Sequence, residues 1–222
     1  MSETKKGLYV VFTGAPGCGK GTQARILKEK THICHLSTGE MLREYAAQDT
    51  PLGRNLKALL DKGEFATDEM IIEMVRNRIG QPDCEHGFIL DGFPRTLPQA
   101  EVLEGLLAEK GIKLTCVLEI QVPDEIIMER ILGRYSCLKC GAGYHDKFQK
   151  PKVYGVCDVC GGTEFGRRKD DNRATVQNRL VNYRLLTYPT IPFFEKRGLL
   201  RTVDGTGTIE AVSNKIDEIL GI

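Results

Sequence analysis

An apolar run followed at once by a glycine-rich loop constrains this chain more than any other segment. Residues 8–12 read Leu-Tyr-Val-Val-Phe and predict a buried strand, while residues 21–30 have a helical pattern. Between them, residues 14–20 read G-A-P-G-C-G-K. The glycines let successive backbone N–H groups turn toward one anion, and the following helix adds the positive end of its dipole. The order strand, loop, helix predicts a phosphate-binding loop; the alternative is a glycine-rich turn without a ligand.

The spacing G-x-x-x-x-G-K within this loop places Lys20 where it would reach the β- and γ-phosphates of a nucleotide. The residue after Lys20 is Gly21, and a hydroxyl comes only at Thr22. We therefore do not expect a loop hydroxyl to ligate Mg²⁺ directly.

Composition bounds the class of protein. The 222 residues fit one α/β domain with small insertions, and a net charge of +1 argues against a nucleic-acid-binding or membrane-surface protein. No apolar stretch reaches the ~18 residues of a membrane span. Residues 1–7 have neither an apolar core nor an arginine-rich leader, so we expect a cytosolic protein. Nothing in the sequence requires an oligomer, and we expect a monomer.

Apolar runs alternate with helical patterns along the chain. This alternation predicts a parallel sheet covered by helices on both faces, with ligands at the carboxyl ends of the strands. Lys20, Asp91 and Asp204 follow predicted strands. Ser37 to Glu40 have the spacing of a capping box, and Thr67 to Glu69 are expected to cap another helix. The predicted strands cover about 8–12, 33–36, 88–90, 114–122 and 199–203, and the later helices about 97–110, 123–134, 170–186, 189–196 and 208–220.

Residues 135–169 have no helical or strand periodicity, and they contain two C-x₂-C pairs. Sixteen residues separate Cys140 from Cys157. This is the spacing of a structural zinc site with four thiolates and no open position. The alternatives are four free thiols or two disulfides. The predicted metal ligands are Cys137, Cys140, Cys157 and Cys160. Of the other cysteines, Cys34 and Cys116 are interpreted as small core residues.

Six arginines lie beside predicted structural breaks. Guanidinium groups match phosphate oxygens bidentately, so we interpret the set as a cluster around several phosphates rather than as separate surface charges. Arg130 and Arg134 are four residues apart and are expected to share one helix face. The set comprises Arg43, Arg95, Arg130, Arg134, Arg168 and Arg179.

Together these motifs resemble those of the adenylate kinase family, in its long form with a zinc-bearing lid. The matching segments are G-A-P-G-C-G-K-G-T, L-S-T-G-E-M-L-R, F-I-L-D-G-F-P-R-T-L-P-Q-A, I-L-G-R, Y-H, R-K-D-D and V-D-G-T, in that order over nearly the whole chain. The resemblance implies a phosphate-loop nucleoside monophosphate kinase fold with a five-stranded parallel sheet. It implies a CORE of residues 1–36, 67–133 and 172–222, an AMP-binding insertion over 37–66 and a lid over 134–171.

The resemblance also implies reversible phosphoryl transfer from MgATP to AMP, giving two ADP. Asp91 would hold Mg²⁺ through water; its alternative role is to cap the turn that follows. The catalytic residues implied are Lys20, Asp91, Arg95, Arg134, Arg168 and Arg179. ATP would be bound by Gly17, Cys18, Gly19, Lys20, Gly21, Thr22, Arg130, Arg134, Gly143, Tyr144, His145 and Gly207. AMP would be bound by Thr38, Arg43, Glu64, Phe65, Ala66, Gly92, Phe93, Pro94, Arg95, Gln99, Arg168 and Arg179.

Two other functions stay open at this point. One is a monophosphate kinase with another base preference, using GTP as donor or UMP or CMP as acceptor. The other is a zinc-ribbon nucleic-acid-binding module, which the balanced charge and the lack of interleaved basic and aromatic residues disfavour.

Overall fold

The computed structural model describes residues 7–62 and 66–222, so the predicted AMP contacts Glu64 and Phe65 lie outside the described residues. The strands are β1 (Leu8–Thr13), β2 (Cys34–Ser37), β3 (Gly87–Asp91), β4 (Cys116–Gln121), β5 (Arg134–Cys137), β6 (Gly143–His145), β7 (Phe165–Gly166) and β8 (Leu200–Asp204). The helices are α1 (Lys20–Thr31), α2 (Thr38–Ala46), α3 (Pro51–Lys62), α4 (Asp68–Ile79), α5 (Leu97–Glu109), α6 (Asp124–Leu132), α7 (Arg173–Asn182), α8 (Thr190–Glu195) and α9 (Ile209–Leu220).

Five strands form one parallel sheet in the order β2-β3-β1-β4-β8. Both faces of β1 are buried. Tyr9 and Val11 belong to one apolar cluster, whereas Val10 and Phe12 belong to another on the opposite face. Alternate residues of a strand point to opposite faces, so helices must cover both sides. The predicted fold class is confirmed.

The predicted helix starts at Ser37 and Thr67 are confirmed by their capping contacts. The Ser37 hydroxyl accepts a hydrogen bond from the backbone N–H of Glu40, and the Thr67 hydroxyl accepts one from Met70. Because β2 runs directly into α2, the Ser37 cap places Thr38 at the carboxyl edge of the sheet.

The segment without periodicity contains a second, three-stranded antiparallel sheet in the order β6-β5-β7. Its strands have only two to four residues, which is too short to produce a visible alternation. A small apolar cluster around Ala142, Tyr144, Tyr135 and Phe165 packs beside the cysteines.

The prediction that Arg130 and Arg134 share a helix face is wrong. Helix α6 ends at Leu132, Gly133 follows as its C-cap, and Arg134 is the first residue of β5. A Cβ atom on residue 133 would overlap the His145 ring, so this close packing requires glycine. The two arginines consequently belong to different elements.

The prediction that a helix begins at Asp170 is also wrong. Helix α7 begins at Arg173, because Asn172 caps it by accepting a hydrogen bond from the Thr175 N–H at 3.0 Å. It ends at Asn182, and a π-helical turn over Tyr183–Thr187 completes the predicted span. Asp170 and Asp171 are thus free of the helix and form ion pairs instead.

None of the helices in the described part of the chain has the length and apolar character required to span a bilayer.

Candidate active site

The glycine-rich loop between β1 and α1 has the backbone of an anion-binding turn. Gly14, Gly17 and Gly19 have φ angles of 131°, 82° and 110°. A Cβ on residue 17 would lie 2.5 Å from Cγ1 of Ile131, so the loop packs closely against α6. Lys20 Nζ donates to the backbone oxygens of Gly14 at 2.7 Å and Ala15 at 2.9 Å. These bonds hold the ammonium group over the loop, where its positive charge would lie beside a bound phosphate.

Asp91 ends β3 and faces this loop. Its Oδ2 atom lies 3.5 Å from Nε2 of His35, and a Cβ on Gly21 would lie 3.4 Å from the same oxygen. Burial raises the pKa of Asp91, but the contact with His35 and the charge of Lys20 outweigh it and lower the pKa overall. Asp91 is therefore an ionised carboxylate beside the phosphate-binding loop, which suits a cation held through water.

The loop after β3 is closed by hydrogen bonds to one carbonyl group. The Gly92 oxygen accepts from the Thr38 hydroxyl at 2.9 Å and from Nε of Arg95 at 2.7 Å. Gly92 has a φ angle of 82°, and a Cβ there would lie 2.8 Å from the Thr38 hydroxyl and 2.7 Å from Nη2 of Arg95. Phe93 and Pro94 are buried in this turn. The predicted acceptor-site residues Thr38, Gly92 and Arg95 therefore meet at the carboxyl edge of β2 and β3.

Gln99 and Asp68 support this loop from below. Oε1 of Gln99 accepts from the Arg95 N–H at 2.7 Å, and Nε2 of Gln99 donates to Asp68 at 2.6 Å. The Thr96 hydroxyl donates to the second oxygen of Asp68 at 2.8 Å. Gln99 is only 2% exposed, so its amide is committed to holding the loop, and direct contact with AMP stays a prediction. Ala66, two residues before Asp68, packs against the apolar cluster that contains Tyr9 and Val11.

The arginines of the predicted cluster influence one another electrostatically. Burial lowers the pKa of Arg95, and the charges of Arg179 and Arg43 lower it further. Burial likewise lowers the pKa of Arg168 to about 10, with contributions from Arg134 and Arg43. The five guanidinium groups therefore lie near enough to repel one another, an arrangement that favours the binding of anions.

Two aspartates partly neutralise this cluster. Asp171 accepts from Nε and Nη2 of Arg134 at 2.5 and 2.6 Å, and Asp170 forms an ion pair with Arg179. The side chains of Asp170 and Asp171 are 10% and 3% exposed. Bidentate carboxylate contacts have the geometry that phosphate oxygens would adopt with the same arginines.

Arg130 joins two backbone segments. Its Nη2 donates to the Gly205 oxygen at 2.8 Å, and its Nη1 lies 3.4 Å from the Cys18 oxygen. It therefore connects the phosphate-binding loop to the segment that follows β8. Gly207, one of the predicted ATP-binding residues, lies on this segment just before the α9 cap Thr208.

The four cysteines predicted to bind metal lie together in residues 137–160. Their sulfur atoms are all within 4.8 Å of one another, with 3.6 Å between Cys137 and Cys160 and between Cys140 and Cys157. In a tetrahedral zinc site with bonds of about 2.3 Å, sulfur atoms are about 3.8 Å apart. The cluster therefore fits a tetrahedral thiolate site.

The two C-x₂-C turns have the same backbone hydrogen bonds. The Gly141 N–H donates to the Cys137 oxygen, and the Gly161 N–H donates to the Cys157 oxygen, each at 2.9 Å. Gly141 and Gly161 have φ angles of 73° and 68°, which glycine adopts without strain. The two equivalent C-x₂-C turns therefore bring all four sulfur atoms close together.

Tyr144 lies in the core of this small sheet. Its hydroxyl contacts the Cys157 sulfur at 3.4 Å and accepts from the Asp158 N–H at 2.7 Å. The hydroxyl contact lowers the pKa of the Cys157 thiol to about 6. Tyr144 thus supports a predicted metal ligand, and its contact with a nucleotide stays a prediction.

His145 joins the small sheet to α6. Its Nε2 lies 3.2 Å from the Glu129 oxygen, and its Nδ1 accepts from the N–H groups of Lys147 and Phe148. These contacts match a ring that donates through Nε2 and accepts through Nδ1. Gly143 is the first residue of β6 and pairs with Ser136 of β5.

Four residues of this site have roles that we did not predict from the sequence. His35 contacts Asp91, Asp68 supports Gln99, and Asp170 and Asp171 pair with arginines. The adjacent aspartates in R-K-D-D could have indicated the pairing with arginines, because acidic residues beside an arginine cluster tend to form ion pairs with it. Asp68 and His35 carry no local signal, since their partners are 31 and 56 residues away in the chain.

Comparisons with known proteins agree with this arrangement. A family model described as adenylate kinase matches residues 12–199. An adenylate kinase of Paramagnetospirillum magneticum is 51% identical over 213 residues, which are 96% of this chain and 98% of the relative. Adenylate kinases of Allorhizobium ampelinum and Carboxydothermus hydrogenoformans are each 50% identical over 96% of this chain and 99% of their own. The matched region contains both the phosphate-binding loop and the loop after β3. The chain belongs to the adenylate kinase family.

Proposed function

We propose that this protein is an ATP:AMP phosphotransferase that catalyses MgATP + AMP = 2 ADP. The observation that carries the proposal is the convergence of Arg43, Arg95, Arg168 and Arg179. Arg95 joins this set to Asp91, the carboxylate that faces the phosphate-binding loop. A single nucleotide does not need so many guanidinium groups, whereas two nucleotides placed phosphate to phosphate do.

The chain supplies binding and charge rather than a general base. The AMP phosphate is already an anionic nucleophile, and transfer needs in-line positioning and charge neutralisation. Together MgATP and AMP bring about four net negative charges into the cleft. Lys20 and the arginines oppose this charge as it moves during transfer. Mg²⁺ would neutralise the donor phosphates, with Asp91 as the residue that holds its water.

Asp170 and Asp171 hold Arg179 and Arg134 in ion pairs. These contacts orient the guanidinium groups, which reduces the ordering cost when the same groups bind phosphate oxygens.

The residues 134–171 act as a lid that excludes water from the phosphoryl group in transit. Zinc bound by the four cysteines gives this small segment the rigidity that its few apolar residues cannot provide. The division into CORE, AMP-binding insertion and lid, with the boundaries given in the sequence analysis, stays a prediction.

A coupled assay of the zinc-loaded protein tests the proposal. We expect ADP formation that requires both MgATP and AMP, and tight binding of a mimic with two adenosines joined by five phosphates, because it fills both sites at once. Turnover with GTP as donor, or with UMP or CMP as acceptor, but not with MgATP and AMP would contradict the base assignment. Retention of RNA or DNA in a filter-binding assay without turnover would favour the zinc-ribbon alternative.

Replacement of Asp68 by alanine should weaken the AMP site selectively. The change removes two hydrogen bonds that hold Gln99 and Thr96, and thereby loosens the Arg95 loop. We expect KM for AMP to rise about tenfold while KM for ATP changes little. Glu69→Ala, at the exposed neighbouring position of α4, is the matched control and should leave both constants unchanged. Equal effects on both substrates would contradict this role.

The monomeric state and the cytosolic location also stay predictions. Sedimentation of the purified protein and fractionation of the source cells are the corresponding measurements.

A further inference from the structure

Two buried cysteines outside the lid lie side by side at the base of the main sheet. Cys34 is the first residue of β2, and Cys84 ends the short turn Pro82–Cys84 before β3. Their sulfur atoms are 2.6 Å apart, compared with 3.6 Å between paired sulfur atoms in the lid. Cys34 is 8% exposed and Cys84 is 1% exposed. The pair is 50 residues apart in sequence and is brought together only by the pairing of β2 with β3.

An arginine places positive charge beside this pair. Nη1 of Arg78 lies 3.1 Å from the Cys84 sulfur, and the same guanidinium group binds both oxygens of Asp83, at 2.8 and 2.6 Å. A hydrogen bond from the Cys84 thiol lowers the pKa of Cys34, although burial opposes it. A cation and a thiol donor both favour a thiolate at this point.

Cys116 provides an internal contrast. It is buried in β4, and burial raises the pKa of its thiol to about 11. Among the described residues, its thiol has neither a sulfur partner nor a hydrogen-bonding cation, unlike those of Cys34 and Cys84. Burial alone therefore does not create the arrangement around Cys34 and Cys84.

A metal site at the same position is less favourable. Cys34, Cys84 and Asp83 have ligand atoms within 4.8 Å of one another. However, both oxygens of Asp83 already accept from Arg78, and a guanidinium group beside a metal cation would repel it. The charge arrangement favours a thiol pair.

We propose that Cys34 and Cys84 are an oxidisable dithiol that hydrogen peroxide converts into a disulfide. The Cys34 thiolate attacks one peroxide oxygen, which breaks the O–O bond and forms a sulfenic acid and hydroxide. The hydroxide takes the Cys84 proton and becomes water. The Cys84 thiolate then attacks the Cys34 sulfur, and the S–OH oxygen leaves as a second water after taking a proton from solvent. The two sulfur atoms lose two electrons, and both peroxide oxygens are reduced to water.

The bridge would lie away from the nucleotide sites. Cys34 is at the amino end of β2, whereas Thr38 follows the carboxyl end of β2 and Asp91 is the last residue of β3. The closed loop contains α2, α3 and α4, so the bridge restricts the unfolded chain over that segment. We expect the oxidised protein to melt roughly 5–10 °C higher. The kcat of the reaction should stay within twofold of the reduced protein.

Peptide mapping of the zinc-loaded protein tests the proposal directly. Trypsin cleaves after lysine and arginine, so it releases residues 31–43 and 79–95, each with one cysteine. After brief treatment with hydrogen peroxide and alkylation under denaturing conditions, we expect these two peptides linked, with the loss of two hydrogen atoms. Dithiothreitol should separate them. Zinc content is measured on the same sample, so that lid oxidation is seen separately.

Matched variants give a second readout. Cys34→Ser and Cys84→Ser should lose both the linked peptide and the oxidation-dependent rise in Tm, whereas Cys116→Ser should keep both. Arg78→Gln should slow cross-linking several-fold, because the cation beside the sulfur is lost. Recovery of both wild-type peptides alkylated, or of Cys34 as an unlinked sulfinic acid, would overturn the proposal. Binding of a second zinc ion that depends on Cys34 would overturn it as well. The wild-type peptide map decides the question even if a serine variant does not fold.

Discussion

Lys20→Ala is expected to lower kcat by about 10²–10³, which is the scale of one electrostatic contact to the transferring group. The Lys20 ammonium group is held over the phosphate-binding loop by the carbonyl groups of Gly14 and Ala15. Alanine removes this charge where negative charge develops. The fold should survive, because the side chain belongs to none of the apolar clusters.

Steady-state kinetics with each nucleotide varied in turn measure this effect. Lys28→Ala, at an exposed position on the same helix, is the matched control and should keep wild-type constants. Arg95→Ala should lose kcat on a similar scale, because its guanidinium group lies at the acceptor edge of the sheet. A Lys20 variant with near-normal kcat and only a raised KM would show that the side chain binds the ground state rather than the transition state.

Cys157→Ala is expected to release zinc and to destabilise the lid before the CORE. The change leaves three thiolates and removes the sulfur that Tyr144 contacts. The wild type should contain about one zinc ion per chain, and the variant close to none. Local stability falls with the metal, and each ~1.4 kcal/mol lost multiplies the open population of the lid tenfold.

Metal analysis and limited proteolysis check this prediction together. Cleavage within 135–168 should become at least tenfold faster, while the CORE fragments persist. Cys116→Ala, a buried cysteine of β4, should keep its zinc and serves as the control. Residual activity should remain at low temperature, where the lid still closes over the substrates. Activity that vanishes with the metal in a folded variant would indicate a catalytic metal instead, and a metal-free wild type would contradict the site.

The local motifs were readable from the sequence because they depend on near neighbours in the chain. The strand before Gly14, the hydroxyl caps at Ser37 and Thr67 and the paired C-x₂-C turns each involve residues within a few positions. Their geometry follows from backbone preferences and short hydrogen bonds. The sheet class followed as well, because a run of strands alternating with helices has few other arrangements.

Element ends were less predictable. The periodicity of α6 continues past its true end, and only the close approach of His145 to Gly133 shows why the helix stops at Leu132. The same holds for α7, because its predicted first residue, Asp170, forms an ion pair with Arg179 instead. In both places a tertiary contact outweighs a local preference that is worth a few tenths of a kcal/mol per residue.

The sequence by itself determined the phosphate-binding loop, the cysteine cluster and the parallel sheet, since these depend on spacing within single segments. Only the tertiary structure decided which distant groups face each other: Asp68 with Gln99, Asp171 with Arg134, and Cys34 with Cys84. These pairs are 31, 37 and 50 residues apart in the chain. The physical reason is that parallel strand pairing and loop packing bring them together, and hydrophobic periodicity records which face of an element is buried but not which residue lies opposite.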